Sequence, residues 1–158
     1  MSDARPPALD PEAAPAHKGT GYPAPFAARI KDRQKRFLAA ALGLKNFGVN
    51  LVRLPPGEIS SQRHWHEKQD EFVYILEGEL VLATDAGEQV LKAGMCAGFP
   101  AGIADGHHMI NRTAADAVYL EVGDRTEGDV SHYPDIDLAA RAPDGTKYSF
   151  THKDGTPY

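Results

Sequence analysis

From residue 46 to residue 122 the chain is a succession of short apolar runs, each closed by a turn signal. The runs cover 47–54, 59–66, 71–76, 79–84, 88–91, 95–99, 107–112 and 117–122. Pro55-Pro56-Gly57 closes the first of them. Glu77-Gly78, Asp85-Ala86-Gly87, Ala93-Gly94 and Pro100-Ala101-Gly102 close later ones. Segments this short, at intervals of about 8–12 residues, are the mark of an all-β sandwich or barrel. No helix of useful length interrupts them, which argues against a parallel α/β sheet.

The flanks read differently. Residues 1–28 hold Pro6, Pro7, Pro11, Pro15, Pro23 and Pro25. Proline at this density rules out a regular helix or a central strand. The segment is expected to be an arm, either disordered or extended over the body of this or another subunit. Residues 29–44 pair a charged start with an alanine-rich apolar patch and leave helix and strand both open. Residues 123–158 are rich in Asp, Gly and Pro and read as successive turns, with one more strand near 148–151. The expected organisation is therefore an arm at 1–28, a barrel at 29–122 and a loop-rich C-terminal extension at 123–158.

The 158 residues suit one domain. Seventeen Lys and Arg against 22 Asp and Glu give a net charge of −5. An acidic balance argues against nucleic acid, which needs a basic footprint, and against docking by charge on an anionic membrane. No apolar stretch is long enough to span a bilayer and no secretory h-region is visible. Cys96 is the single cysteine, so no internal disulfide forms and a reducing, cytoplasmic location is expected.

Seven histidines are present, and two of them, His64 and His66, sit two apart in one expected strand. Residues i and i+2 of a strand share a face, so both imidazoles project together and Trp65 projects away. Glu71 follows five residues later, and His107 opens a distant strand. Three imidazoles and a carboxylate converging from neighbouring strands make a divalent metal site. Zinc, iron, manganese, nickel and cobalt all suit it. Four protein ligands leave positions open on a five- or six-coordinate ion, as a catalytic metal requires. The plain alternative is a polar network without an ion. It would have to bury all four groups together, which costs desolvation unless every group is paired.

Gly57, His64-Trp65-His66, Glu71 and Gly78 resemble the first motif of the cupin superfamily. Gly94, Pro100-Ala101-Gly102, His107 and Asn111 resemble the second. The spacings from His66 to Glu71 to Gly78, and from His107 to Asn111, are the usual ones. Two spacings depart: six residues separate Gly57 from His64, and four separate Gly102 from His107. His108 adjoins His107, but the interval to Asn111 selects His107. The motifs span 57–78 and 94–111, with surrounding strands extending the likeness to about 46–122. The tail, with Asp124-Arg125-Thr126 and His132-Tyr133-Pro134, is similar to that of a bacterial group of single-domain cupins without an assigned function.

The resemblance implies a double-stranded β-helix, the cupin jelly-roll barrel, with the metal inside on His64, His66, Glu71 and His107. It also implies a small-molecule ligand and a homodimer. Cupins with these ligands include dioxygenases, isomerases, lyases and hydrolases, so fold and ligands do not fix the reaction. The expected function is a metalloenzyme acting on a small polar molecule, a carboxylate or a sugar derivative. The alternative is a non-catalytic module that holds such a ligand through the ion. No catalytic acid or base stands out by spacing, although Tyr119 and Glu121 share a face and one of them is a candidate for the cavity. Tyr74, Phe72, Phe99 and Tyr119 read as core or pocket lining, and Cys96 as a small wall residue. His17, His132 and His152 read as solvated.

Overall fold

The structure, a computed structural model, describes residues 7–158; the first six residues of the expected arm lie outside the described residues. Thirteen strands dominate. They are β1 (Ala16–Lys18), β2 (Gln34–Phe37), β3 (Phe47–Leu54), β4 (Trp65–His66), β5 (Glu71–Glu77), β6 (Glu79–Thr84), β7 (Gly87–Lys92), β8 (Cys96–Phe99), β9 (His108–Ile110), β10 (Ala117–Asp124), β11 (Asp129–His132), β12 (Ala139–Ala142) and β13 (Ser149–Thr151). One short helix, α1 (Leu38–Ala41), follows β2 directly, so the stretch left open by sequence uses both conformations.

Every strand pairing is antiparallel. A six-stranded sheet runs β1-β2-β3-β10-β5-β8, a three-stranded sheet runs β7-β6-β9, and a four-stranded sheet runs β13-β12-β11-β4. The fold is the expected all-β jelly roll. Its core lies between the two barrel sheets, where Val52, Leu54, Ile75, Leu80, Leu82, Leu91, Met109 and Tyr119 pack together. The alternation of β5 explains the layering. Val73 and Ile75 are buried, while Phe72, Tyr74 and Leu76 face outward.

Register across the large sheet stacks the inward residues in rows. Lys35, Val52, Tyr119 and Ile75 form one row. Phe37, Asn50, Glu121, Val73 and Ala97 form the next. Gly48, Gly123, Glu71 and Phe99 form the third. The apolar floor thus gives way, row by row, to polar side chains.

Several local readings need correction. The expected strand at 59–66 is paired only at Trp65–His66, with single bridges from Ile59 to Ile110 and from His64 to His107. Its groups bond outside a ladder: Ser60 Oγ accepts from the Met109 N–H, and Gln62 Nε2 donates to Phe26 O at 2.7 Å. Tyr74 faces outward rather than into core or pocket, and its partner across the pair, Cys96, is exposed on the edge strand β8. Residues 123–158 are more regular than their composition suggests, since β11, β12 and β13 form a sheet there with β4. His132 stacks on Trp65 at 4.4 Å and contacts Glu67 at 2.7 Å, so it helps hold that sheet to β4.

Within the proline-rich segment, the described residues 7–28 lie along the chain's own body. β1 pairs with β2 at the sheet edge, where proline-flanked strands are tolerated. Tyr22 and Phe26 pack with Tyr133, Leu138 and Phe150 in a second apolar cluster that joins this segment to the C-terminal sheet.

Candidate metal centre

β4 and the bridge residue before it carry His64 and His66, β5 opens with Glu71, and His107 precedes β9. The bridge between His64 and His107 has two backbone hydrogen bonds, His107 N to His64 O at 2.9 Å and His64 N to His107 O at 3.2 Å. It clamps the two motifs together. Glu71 Oε2 is the common neighbour of the three rings: His107 Nε2 lies 2.8 Å away, and the Nε2 atoms of His64 and His66 lie 3.5 Å away. His64, His66 and Glu71 also bring ligand atoms within 4.8 Å of one another. The structure groups His64, His66 and Glu71 in this way and leaves His107 outside that set, in contact with Glu71 Oε2. It places His108 apart from them, with Nδ1 3.1 Å from Ser61 O.

The far sides of the rings decide which nitrogens face the centre. His64 Nδ1 lies 2.8 Å from Gln62 O, a partner that can only accept. His66 Nδ1 lies 2.6 Å from Asp129 Oδ2. Each Nδ1 donates its proton outward and turns Nε2 toward the cluster, where an incoming cation would take the place of any proton on it. His66 Nε2 and His107 Nδ1 are buried without any hydrogen-bond partner. Buried polar atoms are rarely left so. A free Nε2 on His66, beside a carboxylate and two more imidazoles, fits a divalent cation, and the three-nitrogen, one-oxygen donor set suits a transition metal.

The charges are strongly coupled. Burial pushes the Glu71 carboxyl up, but the hydrogen bond from His107 and the His64 and His66 rings beside it hold it well below the usual range. Burial also disfavours a charged His66, yet its bonds to Asp129 and Glu71 raise it to about 10. His107 is held below its ordinary value, chiefly by burial. The cluster thus keeps an ionised carboxylate among crowded imidazoles, and a divalent cation binding there would displace the His66 proton.

Residues beyond the four complete the site. Asp129 is almost fully buried, also accepts from the Lys68 N–H at 2.8 Å, and has the Tyr148 hydroxyl 3.4 Å away. Tyr133 stacks on His64 at 5.6 Å, and Phe99 stacks flat on His107 at 3.6 Å. The cluster opens into a cavity of about 470 Å³ whose wall also includes Arg33, Lys35, Tyr119, Glu121 and Tyr133. Glu121 Oε1 is held by Lys35 Nζ and by Asn50 Nδ2 at 2.8 Å. Tyr119 and Glu121 both reach the cavity wall. Sequence reasoning missed Asp129 because its alternation is inverted: Asp129 and Ser131 point inward, while Val130 and His132 are half-buried. The period of two was present in residues 129–132 and was the signal that could have found it.

A family model described as a cupin domain matches residues 50–123. No curated protein matches the chain. A crystal structure of a cupin-superfamily sugar phosphate isomerase from Silicibacter pomeroyi shares 45% identity over 96% of each chain, with a TM-score of 0.90. A protein from Acidithiobacillus ferrooxidans, provisionally called a sugar phosphate isomerase, shares 27% identity over 80% of each chain, with a TM-score of 0.71. A polyketide cyclase from Streptomyces resistomycificus shares 20% identity over 74% of this chain and 78% of that one. Its TM-score of 0.61 reflects the fold alone.

Proposed function

The chain belongs to the cupin superfamily, and from that premise we propose that it is a divalent-metal-dependent enzyme acting on a small sugar derivative, most simply as an isomerase. The observation that carries the reading is the convergence of three imidazole Nε2 atoms on Glu71 Oε2, with the outer nitrogens of His64 and His66 fixed by Gln62 O and Asp129. His64, His66, Glu71 and His107 would hold the metal. Once bound there, a divalent cation supplies Lewis acidity toward a carbonyl or hydroxyl oxygen. The isomerase that shares 45% identity supports the choice of a sugar derivative over a simple carboxylate.

The chain's own residues do the rest. The stacked faces of Phe99 and Tyr133 pin His107 and His64 and keep water from their backs. Glu121 is a carboxylate on the cavity wall that the imidazole cluster does not use. With Oε1 held by Lys35 and Asn50, it would take a proton from a substrate carbon and return it to the neighbouring one, while the hydroxyl proton passes from one substrate oxygen to the other. Tyr22 and Tyr133 both line the cavity, their hydroxyls 3.4 Å apart. Burial pushes the Tyr22 phenol up to about 12, so it stays neutral and able to donate.

Elemental analysis of protein purified without added metal tests the assignment. One equivalent of a transition metal is expected in the native chain and none in His64→Ala/His66→Ala, with the far-UV circular dichroism of a β protein kept. Stoichiometric metal in the double variant would falsify the ligand set. An inert, metal-loaded protein that still binds sugars tightly would point to a binding module instead.

A further inference from the structure

Among the described residues, four buried side-chain atoms lack a hydrogen-bond partner: His66 Nε2, His107 Nδ1, Arg33 Nε and Tyr119 Oη. All four belong to residues that line the same cavity. The two histidine atoms belong to the candidate metal centre. Arg33 and Tyr119 have no role there. Tyr119 shares a row with Lys35 and Val52, one row deeper than Glu121 and two deeper than Glu71, and Arg33 immediately precedes β2.

Arg33 is 9% exposed. Its guanidinium donates to Ser60 O and, at 3.0 Å, to Gly19 O, both neutral carbonyls. No carboxylate among the described residues forms an ion pair with it. A buried cation without a counter-charge is costly, and supplying an anion removes that cost. Tyr119 is fully buried, and burial holds its phenol well above the usual range, so at neutral pH it is a protonated donor. Lys35, on β2 and also lining the cavity, bonds Glu121 through one of its three N–H groups.

We propose that Arg33, Tyr119 and Lys35 form the anchor for the phosphate of a phosphomonoester substrate whose sugar end lies at the His64–His66–Glu71–His107 cluster. Three donors match the three terminal oxygens of a phosphate ester, whereas a carboxylate offers two. The guanidinium supplies the unpaired charge. The inference deepens the sugar-derivative reading of the same cavity and rests on it for the identity of the other end.

Isothermal titration of the full chain, freed of metal by chelator, tests the anchor with inorganic phosphate, ribose 5-phosphate and ribose. Both phosphate compounds should bind, the ester more tightly, and ribose at least about tenfold more weakly than its phosphate. Tyr119→Phe removes one hydroxyl, and Arg33→Lys keeps the charge but loses the Nε donor. Each should weaken ribose 5-phosphate by about tenfold or more while leaving ribose unchanged. The proposal is overturned if neither phosphate compound binds, if free phosphate binds as tightly as the ester, or if both variants bind the ester like the native chain. Elemental analysis of the same protein before chelation separates the two readings. Metal without phosphate binding removes the anchor alone. Phosphate binding in a chain that never held metal removes the metal centre alone.

Discussion

A single imidazole shows how the site is built. His66 is gripped on one side by Asp129 at 2.6 Å, with Ser131 Oγ 3.1 Å from the same nitrogen, and its other nitrogen is left for the centre. A carboxylate behind a ligating histidine fixes the tautomer and raises its basicity. Asp129→Asn should therefore lower transition-metal affinity by about 10–100-fold, read by competition with a chromophoric chelator, while the four ligands stay in place. An unchanged affinity would show that Asp129 only supports packing. At this scale much was legible. The two-residue interval placed His64 and His66 on one face, and the interval to Asn111 chose His107 over His108. Asn111 turned out to be a buried local clamp, donating to Leu54 O and Ala115 O at 2.8 Å each. Arg33 was not legible, and Asp129 showed only as one position of the alternation at 129–132. Neither lies inside a motif, and what matters about each is burial, which depends on segments far away in sequence.

Among the elements, the C-terminal sheet carries the clearest lesson. Its strands are short and an Asp144-Gly145 turn joins β12 to β13, so composition suggested successive turns with one strand near 148–151. The ladder β4-β11-β12-β13 forms nonetheless because β4 supplies a template and Tyr133, Leu138 and Ala140 bury against Tyr22 and Phe26. The barrel strands were legible because alternation and turn residues agreed there, whereas here tertiary packing outweighs weak local propensity. Gly145 is the tightest point of this region. Its φ is +72°, and a Cβ there would fall 2.1 Å from Arg125 O. Its carbonyl accepts from Gln69 Nε2 at 3.0 Å, beside the Tyr148 hydroxyl that bonds Gln69 Oε1 at 2.8 Å. Gly145→Ala should cost at least about 2 kcal/mol in urea unfolding. A variant as stable as the native chain would mean that the loop has room to shift.

For the molecule as a whole, the homodimer implied by the family resemblance meets an outward surface that suits it. Phe72, Tyr74 and Leu76 on β5 are 41%, 39% and 40% exposed, beside the edge strand β8. Sedimentation velocity is expected to give a two-chain mass for the native protein and a one-chain mass for Tyr74→Glu. A native protein that sediments as one chain would end this expectation. The segment at 7–28 bonds to its own chain, through β1 on β2 and through Arg36 to Ala14 O and Glu12, so trimming residues 1–28 should lower stability more than it changes mass. The dependence of His66 on Asp129 also has a temporal side. A nascent polypeptide leaves the ribosome amino end first. The three imidazoles and Glu71 emerge well before the aspartate that props them, and Tyr148 emerges later still. Under the proposed metal reading, a translation product ended before residue 129 would carry all four candidate ligands yet lack the carboxylate that orients His66.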